Sequence, residues 1–521
     1  MGRGVTLKRI LILILFGFFF FLFGNHHFTL FDNSETNYSC VAKEIVHTGD
    51  ALTMHYNGQP WFVHPPLYFW LSSSLCRLLG WTEFNLRFWE GLFGILGLIV
   101  TFLIGRLFFA PNTAMLGAMI LGSSLYYSII SRLAIFDTLL NVFVLLQVLF
   151  FWKAYRNPPH TDRYFLAYAF SAALAVLTKG PFGLLHAGMV IVLFLLLKKN
   201  LKFLIKRSIF GCFLLMLLLI SPWYGYELFH HGWAFFNVAL KDYTWFRFFG
   251  VVENQTGPWF YYFPVMLLFF PWIFFLPGTL VSSWKQYRLK NLSDFSLFSW
   301  LFILVTFLFF SFAGTKLPNY IFSVFPFLSL LMAASLLDNQ TPKLLITETV
   351  FLALFSLSLV LITIYIPLSA PYVMDRSLII FSCSILWGVS LPALFFGVIG
   401  RPSQLIGTLV GGMLVWLLFM VHVFFPVIEK YKESKDFVAL IARPTPYTLI
   451  NYQGYSPYLM YYLNHPVVHA QNLSEISLHP TQDTFIIVPN SDPKAVGWLD
   501  SHAKLLKKCI ERSLYYIDSL R

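Results

Sequence analysis

What most constrains this chain is a succession of long apolar runs separated by short charged clusters. The first is Ile10–Phe31, and others follow at 88–108, 113–131, 137–154, 164–179, 181–197 and 208–228. The series continues at 259–281, 296–313, 320–337, 344–368, 377–399 and 404–426. Most approach the ~20 residues needed to cross a hydrocarbon core. The pattern predicts a polytopic all-α membrane domain of about thirteen transmembrane helices. A soluble chain carries about 25% charged residues; this one has 12%, with 58% hydrophobic, too little charge to cover a water-facing surface. The formal charge of +12 does not point to nucleic acid, because the bases sit in clusters between spans and form no binding stripe.

Those clusters set an orientation. Met1–Arg9 carries Arg3, Lys8 and Arg9 and has no small-residue cleavage site after it, so the first helix reads as uncleaved and entering from the cytoplasm. Alternation then places Lys153, Arg156 and Arg163 on the inside, with Lys198, Lys199, Lys202, Lys206 and Arg207, and with Lys285, Arg288 and Lys290. Most acids fall on the other side, among them Glu44, Asp50, Glu83, Asp137 and Asp242. An odd number of spans puts the C-terminus outside. The expected organisation is therefore residues 1–426 as the membrane domain, with an extracytoplasmic first loop at 32–89. Residues 427–521 form a small extracytoplasmic α/β domain, with strand-like runs at 447–452, 466–470 and 484–488. The stretch 505–517 reads equally as a strand pair or a helix. The five cysteines are scattered, with neither metal-ligand spacing nor a disulfide framework.

Charged side chains within or at the ends of spans are costly, reaching about 2.5–3.5 kcal/mol each at a helix centre on insertion scales. Here they gather at one predicted level: Arg132 and Asp137, Lys179, and Lys316, with Asp32 and Glu35 just beyond the first helix. Distant parts of the chain thus bring acids and bases to one face of the membrane, as a site for a charged, lipid-linked substrate requires.

Five segments carry a family resemblance. They are Phe31-Asp32-Asn33-Ser34-Glu35-Thr36-Asn37-Tyr38; Asn57-Gly58-Gln59-Pro60-Trp61-Phe62-Val63-His64-Pro65-Pro66; and Ser131-Arg132-Leu133-Ala134 with Asp137. The others are Leu177-Thr178-Lys179-Gly180-Pro181 and Gly314-Thr315-Lys316-Leu317-Pro318-Asn319-Tyr320. In this order they resemble the bacterial members of the protein O-mannosyltransferase superfamily, especially the aminoarabinose transferases that modify lipid A. The resemblance implies a C-type glycosyltransferase of the bacterial inner membrane. Such an enzyme moves a sugar from a polyprenyl phosphate carrier to a lipid or protein acceptor on the extracytoplasmic face. It also implies a catalytic acid in the first loop, Asp32 or Glu35, with Ser34 standing where relatives often carry a further acid, and His64, Arg132, Asp137, Lys179, Lys316 and Tyr320 as substrate-binding residues. The alternative is a transporter or flippase of a lipid-linked sugar.

The chemistry suits those residue types. Polyprenyl phosphate is a good leaving group that needs positive charge on the departing phosphate, which Lys and Arg supply. A hydroxyl acceptor also needs a carboxylate to take its proton; a phosphate acceptor does not. Each residue has a plainer reading. Asp32 with Glu35 forms a capping-box spacing, and Arg132 and Asp137 are placed to pair. Lys179 can snorkel to water. His64 stands where relatives commonly carry lysine, and meets phosphate as a cation only when protonated, near pH 6.5 unperturbed. No motif supports a metal site, and relatives' acid before that lysine is here Val63.

Overall fold

The computed structural model describes the chain except residues 1–2, 32–33, 158–159, 206, 253–254, 340, 366–375, 443–445, 455, 477–481 and 519–521. In chain order the first helices are α1 (Arg3–Gly17), α2 (Ser34–Thr48), α3 (Leu67–Leu79), α4 (Glu83–Gly105) and α5 (Pro111–Ser123). They continue with α6 (Leu125–Ile130), α7 (Asp137–Arg156), α8 (Thr161–Lys179), α9 (Phe182–Leu197) and α10 (Arg207–Phe235). Local chemistry sets several of their ends. Thr82 caps α4 by accepting from the Asn85 amide at 3.2 Å, and Pro111 opens α5 where its missing N–H costs nothing.

Among the described residues, eight helices are long and apolar enough to cross a membrane, and a bent pair makes a ninth. The expected thirteen includes shorter pieces: α5 has 13 residues and α9 has 16. The run expected as one span over 259–281 is instead broken, Tyr262–Phe269 and Trp272–Arg288 meeting at 105°. Pro271 sits at that break, where it can neither donate a ladder hydrogen bond nor clear the preceding turn. The run expected to end near 228 continues: helical turns reach Phe249, with a break at Gly232, where φ is +49°.

Close packing at the centre depends on glycine. A Cβ at Gly91 would lie 2.4 Å from Leu22 Cδ2, and one at Gly94 would lie 2.8 Å from Ser131 Cβ. This small-residue face of α4 lets the end of the first helix and the 131–136 turn approach the backbone directly. The most enclosed spans are Pro318–Leu337 and Asp137–Arg156, 78% and 72% buried, against 17% for the peripheral Arg376–Val398. Both enclosed helices begin at the same polar level.

The C-terminal segment adds a five-stranded sheet. A short hairpin in the first loop supplies β1 (His55–Tyr56) and β2 (Gln59–Pro60). The sheet contains β3 (Tyr447–Tyr452), β4 (Val468–Ala470), β5 (Asp483–Pro489), β6 (Lys504–Lys508) and β7 (Arg512–Ile517), ordered β4-β3-β5-β7-β6. The stretch left open between strand pair and helix is the antiparallel pair β6–β7. Strand β5 is buried on both faces, as its Phe485-Ile486-Ile487-Val488 run leads one to expect. Leu30, Cys40 and Leu86 share one hydrophobic cluster with Phe437, Leu449 and Leu459, so the sheet sits on the first loop. Asn57 exchanges two hydrogen bonds with the Val467 backbone, and Lys43 donates to the Tyr461 carbonyl.

Candidate functional site

A cavity of about 380 Å³ opens where the first loop, α7, α8 and the Pro318–Leu337 helix converge. Asp137, in the first turn of α7, is its one acid among the described lining residues. That helix start is fixed from outside, since Glu90 of α4 accepts from the Thr138 amide at 2.9 Å. Asp137 Oδ1 receives Lys179 Nζ at 2.5 Å and Oδ2 receives Asn319 Nδ2 at 2.8 Å. Lys179 ends α8, where Gly180 turns the chain at φ +78°, a conformation only glycine adopts freely. The ammonium lies 5.1 Å from the Phe136 ring and 5.8 Å from the Tyr320 ring, so Lys179 is held inward and does not reach for water.

Arg247, which the sequence reading passed over, completes the polar wall. Its Nη2 donates to Gln255 Oε1 at 3.0 Å and its guanidinium lies 5.4 Å from the Tyr243 ring, while its buried Nε has no partner. The Gly314–Tyr320 motif positions this segment. Gly314 N donates to the Phe248 carbonyl at 2.7 Å, Thr315 N to the Arg247 carbonyl at 3.2 Å, and Lys316 N to the Gln255 carbonyl at 2.8 Å. Gly314 has no room for a side chain, since a Cβ would sit 2.3 Å from the Gly250 oxygen.

His64, in the loop before α3, also lines the cavity. Its Nε2 lies 3.5 Å from the Tyr38 hydroxyl and its ring packs 4.6 Å from Phe136. Burial first, then the positive charges of Lys179 and Arg247, hold its pKa well below the usual histidine value. The unperturbed value near 6.5 therefore does not hold for His64 at this site.

Of the sequence-selected residues, His64, Asp137, Lys179 and Tyr320 meet in this cavity. Lys316 lies beside it, nearly buried, donating to the carbonyl of the lining residue Ala313 at 2.6 Å. Asp32 lies outside the described residues. Arg132 is not paired with Asp137. It donates to the Phe19, Phe20 and Phe23 carbonyls and to Asn25 Oδ1, closing the C-terminal end of the first helix where carbonyls lack helical partners. Glu35 is likewise engaged. Its oxygens accept from Arg87 Nε (2.9 Å) and Nη2 (2.8 Å), the Ala134 amide (2.6 Å) and the Phe31 amide (2.8 Å), and the residue is 1% exposed. Among the described residues no group of three or more His, Cys, Asp or Glu side chains is placed to hold a metal ion.

The sequence profile of the dolichyl-phosphate-mannose-protein mannosyltransferases matches residues 63–226. An uncharacterized protein of Aquifex aeolicus is 27% identical over 340 residues, covering 65% of this chain and 66% of that protein. An undecaprenyl phosphate-α-4-amino-4-deoxy-L-arabinose arabinosyl transferase of Aeromonas hydrophila is 27% identical over 340 residues, covering 62% of this chain and 59% of the relative. The matches thus span less than two thirds of those relatives' lengths. In fold the chain is similar to ArnT from Cupriavidus metallidurans bound to undecaprenyl phosphate, with a TM-score of 0.82 at 19% identity, covering 99% and 98% of the two chains. The chain resembles the protein O-mannosyltransferase superfamily and its aminoarabinose transferases, as the five motifs suggested.

Proposed function

We propose that this chain is a membrane glycosyltransferase that moves a sugar from a polyprenyl phosphate carrier to a lipid A-like or protein acceptor. The observation that carries this reading is the presence of two cations, Lys179 and Arg247, with a single acid among the described lining residues of a largely aromatic and aliphatic cavity. Such a wall suits a phosphate whose prenyl chain stays in the apolar surroundings. The family profile and the arabinosyl transferase relatives support the same reading, and neither they nor the geometry favours the transporter alternative.

In the reaction an acceptor oxygen attacks the anomeric carbon as the bond from that carbon to the phosphate oxygen breaks. The electron pair leaves with the phosphate, and Lys179 and Arg247 stabilise its growing charge; donors aimed at developing charge are worth about 2.7–4 kcal/mol each. Neutral His64 and Tyr320 complete the wall as hydrogen-bonding groups. With a hydroxyl acceptor the departing proton goes to a carboxylate. Because four donors occupy the Glu35 oxygens, we assign that base to Asp32. Asp137 holds Lys179 in position. With a phosphate acceptor no base is used.

We place the site on the extracytoplasmic face of a bacterial inner membrane, with the N-terminus cytoplasmic and the C-terminal sheet outside, on the strength of the loop charges. The test is transfer by the purified protein in liposomes containing undecaprenyl phosphate linked to a radiolabelled sugar and a lipid A acceptor. Label passing to the acceptor with release of undecaprenyl phosphate supports the reading. Movement of intact glycolipid between leaflets without transfer overturns it in favour of a transporter.

A further inference from the structure

Below the cationic wall the cavity has a second polar layer. Asn141 lies four residues after Asp137 on α7, one turn or about 6 Å deeper on the same face. It lines the cavity, is 2% exposed, and neither its amide oxygen nor its amide nitrogen has a partner. A buried amide with both ends unmatched is costly, and native structures rarely keep one without a use. The lining also holds His186 and Ser323, with His186 Nδ1 3.3 Å from the Ser323 hydroxyl and Nε2 2.7 Å from Thr306 Oγ1. Asn319 adds a buried Oδ1 with no partner, its Nδ2 being given to Asp137.

These groups share one property: they are hydrogen-bonding amides, a ring and a hydroxyl, and none is a carboxylate. Both oxygens of Asp137, the lining acid among the described residues, are held by Lys179 and Asn319. Among the described residues, a ligand amine placed at this layer would be a buried cation near two other cations without an anion of its own. Hydroxyl or acetamido groups, by contrast, match an amide that offers two donors and an acceptor.

We propose that Asn141 is a specificity-determining residue and that the sugar carried into this cavity is uncharged, its hydroxyl or acetamido groups read by the Asn141 amide. This rests on the lipid phosphate reading and names the substrate class of that site. It separates the chain from relatives whose donor carries an amino sugar.

Trp223 and Trp245 line the cavity and give a fluorescence signal for binding. The purified full chain in lipid nanodiscs is titrated with three probes: undecaprenyl phosphate, the same lipid bearing glucose, and the same lipid bearing 4-amino-4-deoxy-arabinose. Wild type is expected to bind the glucose lipid about tenfold more tightly than the amino sugar lipid, the scale of one or two well-made hydrogen bonds. Asn141→Leu should erase that ratio, and Asn141→Asp, which supplies the missing anion, should invert it. A wild-type preference for the amino sugar lipid, or a ratio unchanged in Asn141→Leu while undecaprenyl phosphate still binds, overturns this inference alone. Failure of undecaprenyl phosphate itself to bind wild type overturns the lipid phosphate reading and this inference with it.

Discussion

Arg87 and Glu35 form a two-pronged ion pair, Nε to Oε1 at 2.9 Å and Nη2 to Oε2 at 2.8 Å, with both side chains out of contact with water. The remaining guanidinium hydrogens go to the Asn25, Phe28 and Thr29 carbonyls. The pair therefore joins α4, the exit of the first helix and the start of α2, and through the Ala134 amide it holds the turn that leads into α7.

Breaking this pair should be a folding defect. Arg87→Met or Glu35→Gln alone leaves a buried group unmatched, and losses of about 3–5 kcal/mol are typical. Thermal unfolding in detergent should show both single variants destabilised, and the double variant less so than the sum. A Glu35→Gln protein of normal stability with no transfer activity would instead make Glu35 the catalytic acid.

Lys179→Met should lower turnover with polyprenyl phosphate sugar by about 10²–10³-fold, the effect of losing one donor to a developing negative charge. Because it also strips Asp137 of its cation, the double variant with Asp137→Asn is the cleaner comparison. It should recover stability in a melting experiment but not turnover.

His64 carries a pH signature opposite in kind to that of an exposed histidine. Its folded pKa lies well below the ordinary value, so the unfolded chain binds a proton first as pH falls. Stability is unaffected above about pH 6.5 and declines below it, by at most about 1.4 kcal/mol per pH unit from this residue. Melting temperatures between pH 7.5 and 5 should fall less steeply in His64→Gln than in wild type. Identical slopes would show that the folded and unfolded chains take up this proton alike.

Asp32→Asn should leave the melting temperature close to wild type and, with a hydroxyl acceptor, reduce turnover by about 10²–10⁴-fold. With a phosphate acceptor the loss should be far smaller. Comparing the two acceptors in one assay reports the acceptor class and tests the assignment of the base together.

Orientation is readable through Cys509, half-buried in the turn between β6 and β7. In a variant lacking Cys40, Cys76, Cys212 and Cys383, a membrane-impermeant maleimide should label it in intact spheroplasts. Burial and the neighbouring Glu433 and Asp436 push this thiol above its usual range, so the reaction should speed up markedly toward pH 9. Labelling only after permeabilisation would reverse the topology.

The sequence was most informative where physics acts on composition. Apolar runs marked the helices, and charges at span ends led to Asp137 and Lys179. It was silent about partners. Arg132 and Lys179 look alike in sequence, each a base at the end of an apolar run, yet one binds backbone carbonyls and the other faces the cavity. Backbone acceptors leave no trace in side-chain identity. Arg247 was overlooked as one base in an aromatic stretch, although a lone cation between Phe246 and Phe248 was itself the available signal. The break at Pro271 was also legible, since a run holding Pro264, Pro271 and Pro277 cannot be one straight helix.

The cluster joining Leu30, Cys40 and Leu86 to Phe437, Leu449 and Leu459 draws on both ends of the chain. A ribosome adding about 5–20 residues per second delivers the second half of that cluster tens of seconds after the first. Throughout this interval the first loop lacks the apolar surface that completes it, while the helices of the bundle are already being inserted. The first loop is therefore among the last parts of the protein to complete its packing. A nascent chain halted before residue 430 would be embedded in the bilayer with the apolar face of its first loop still uncovered.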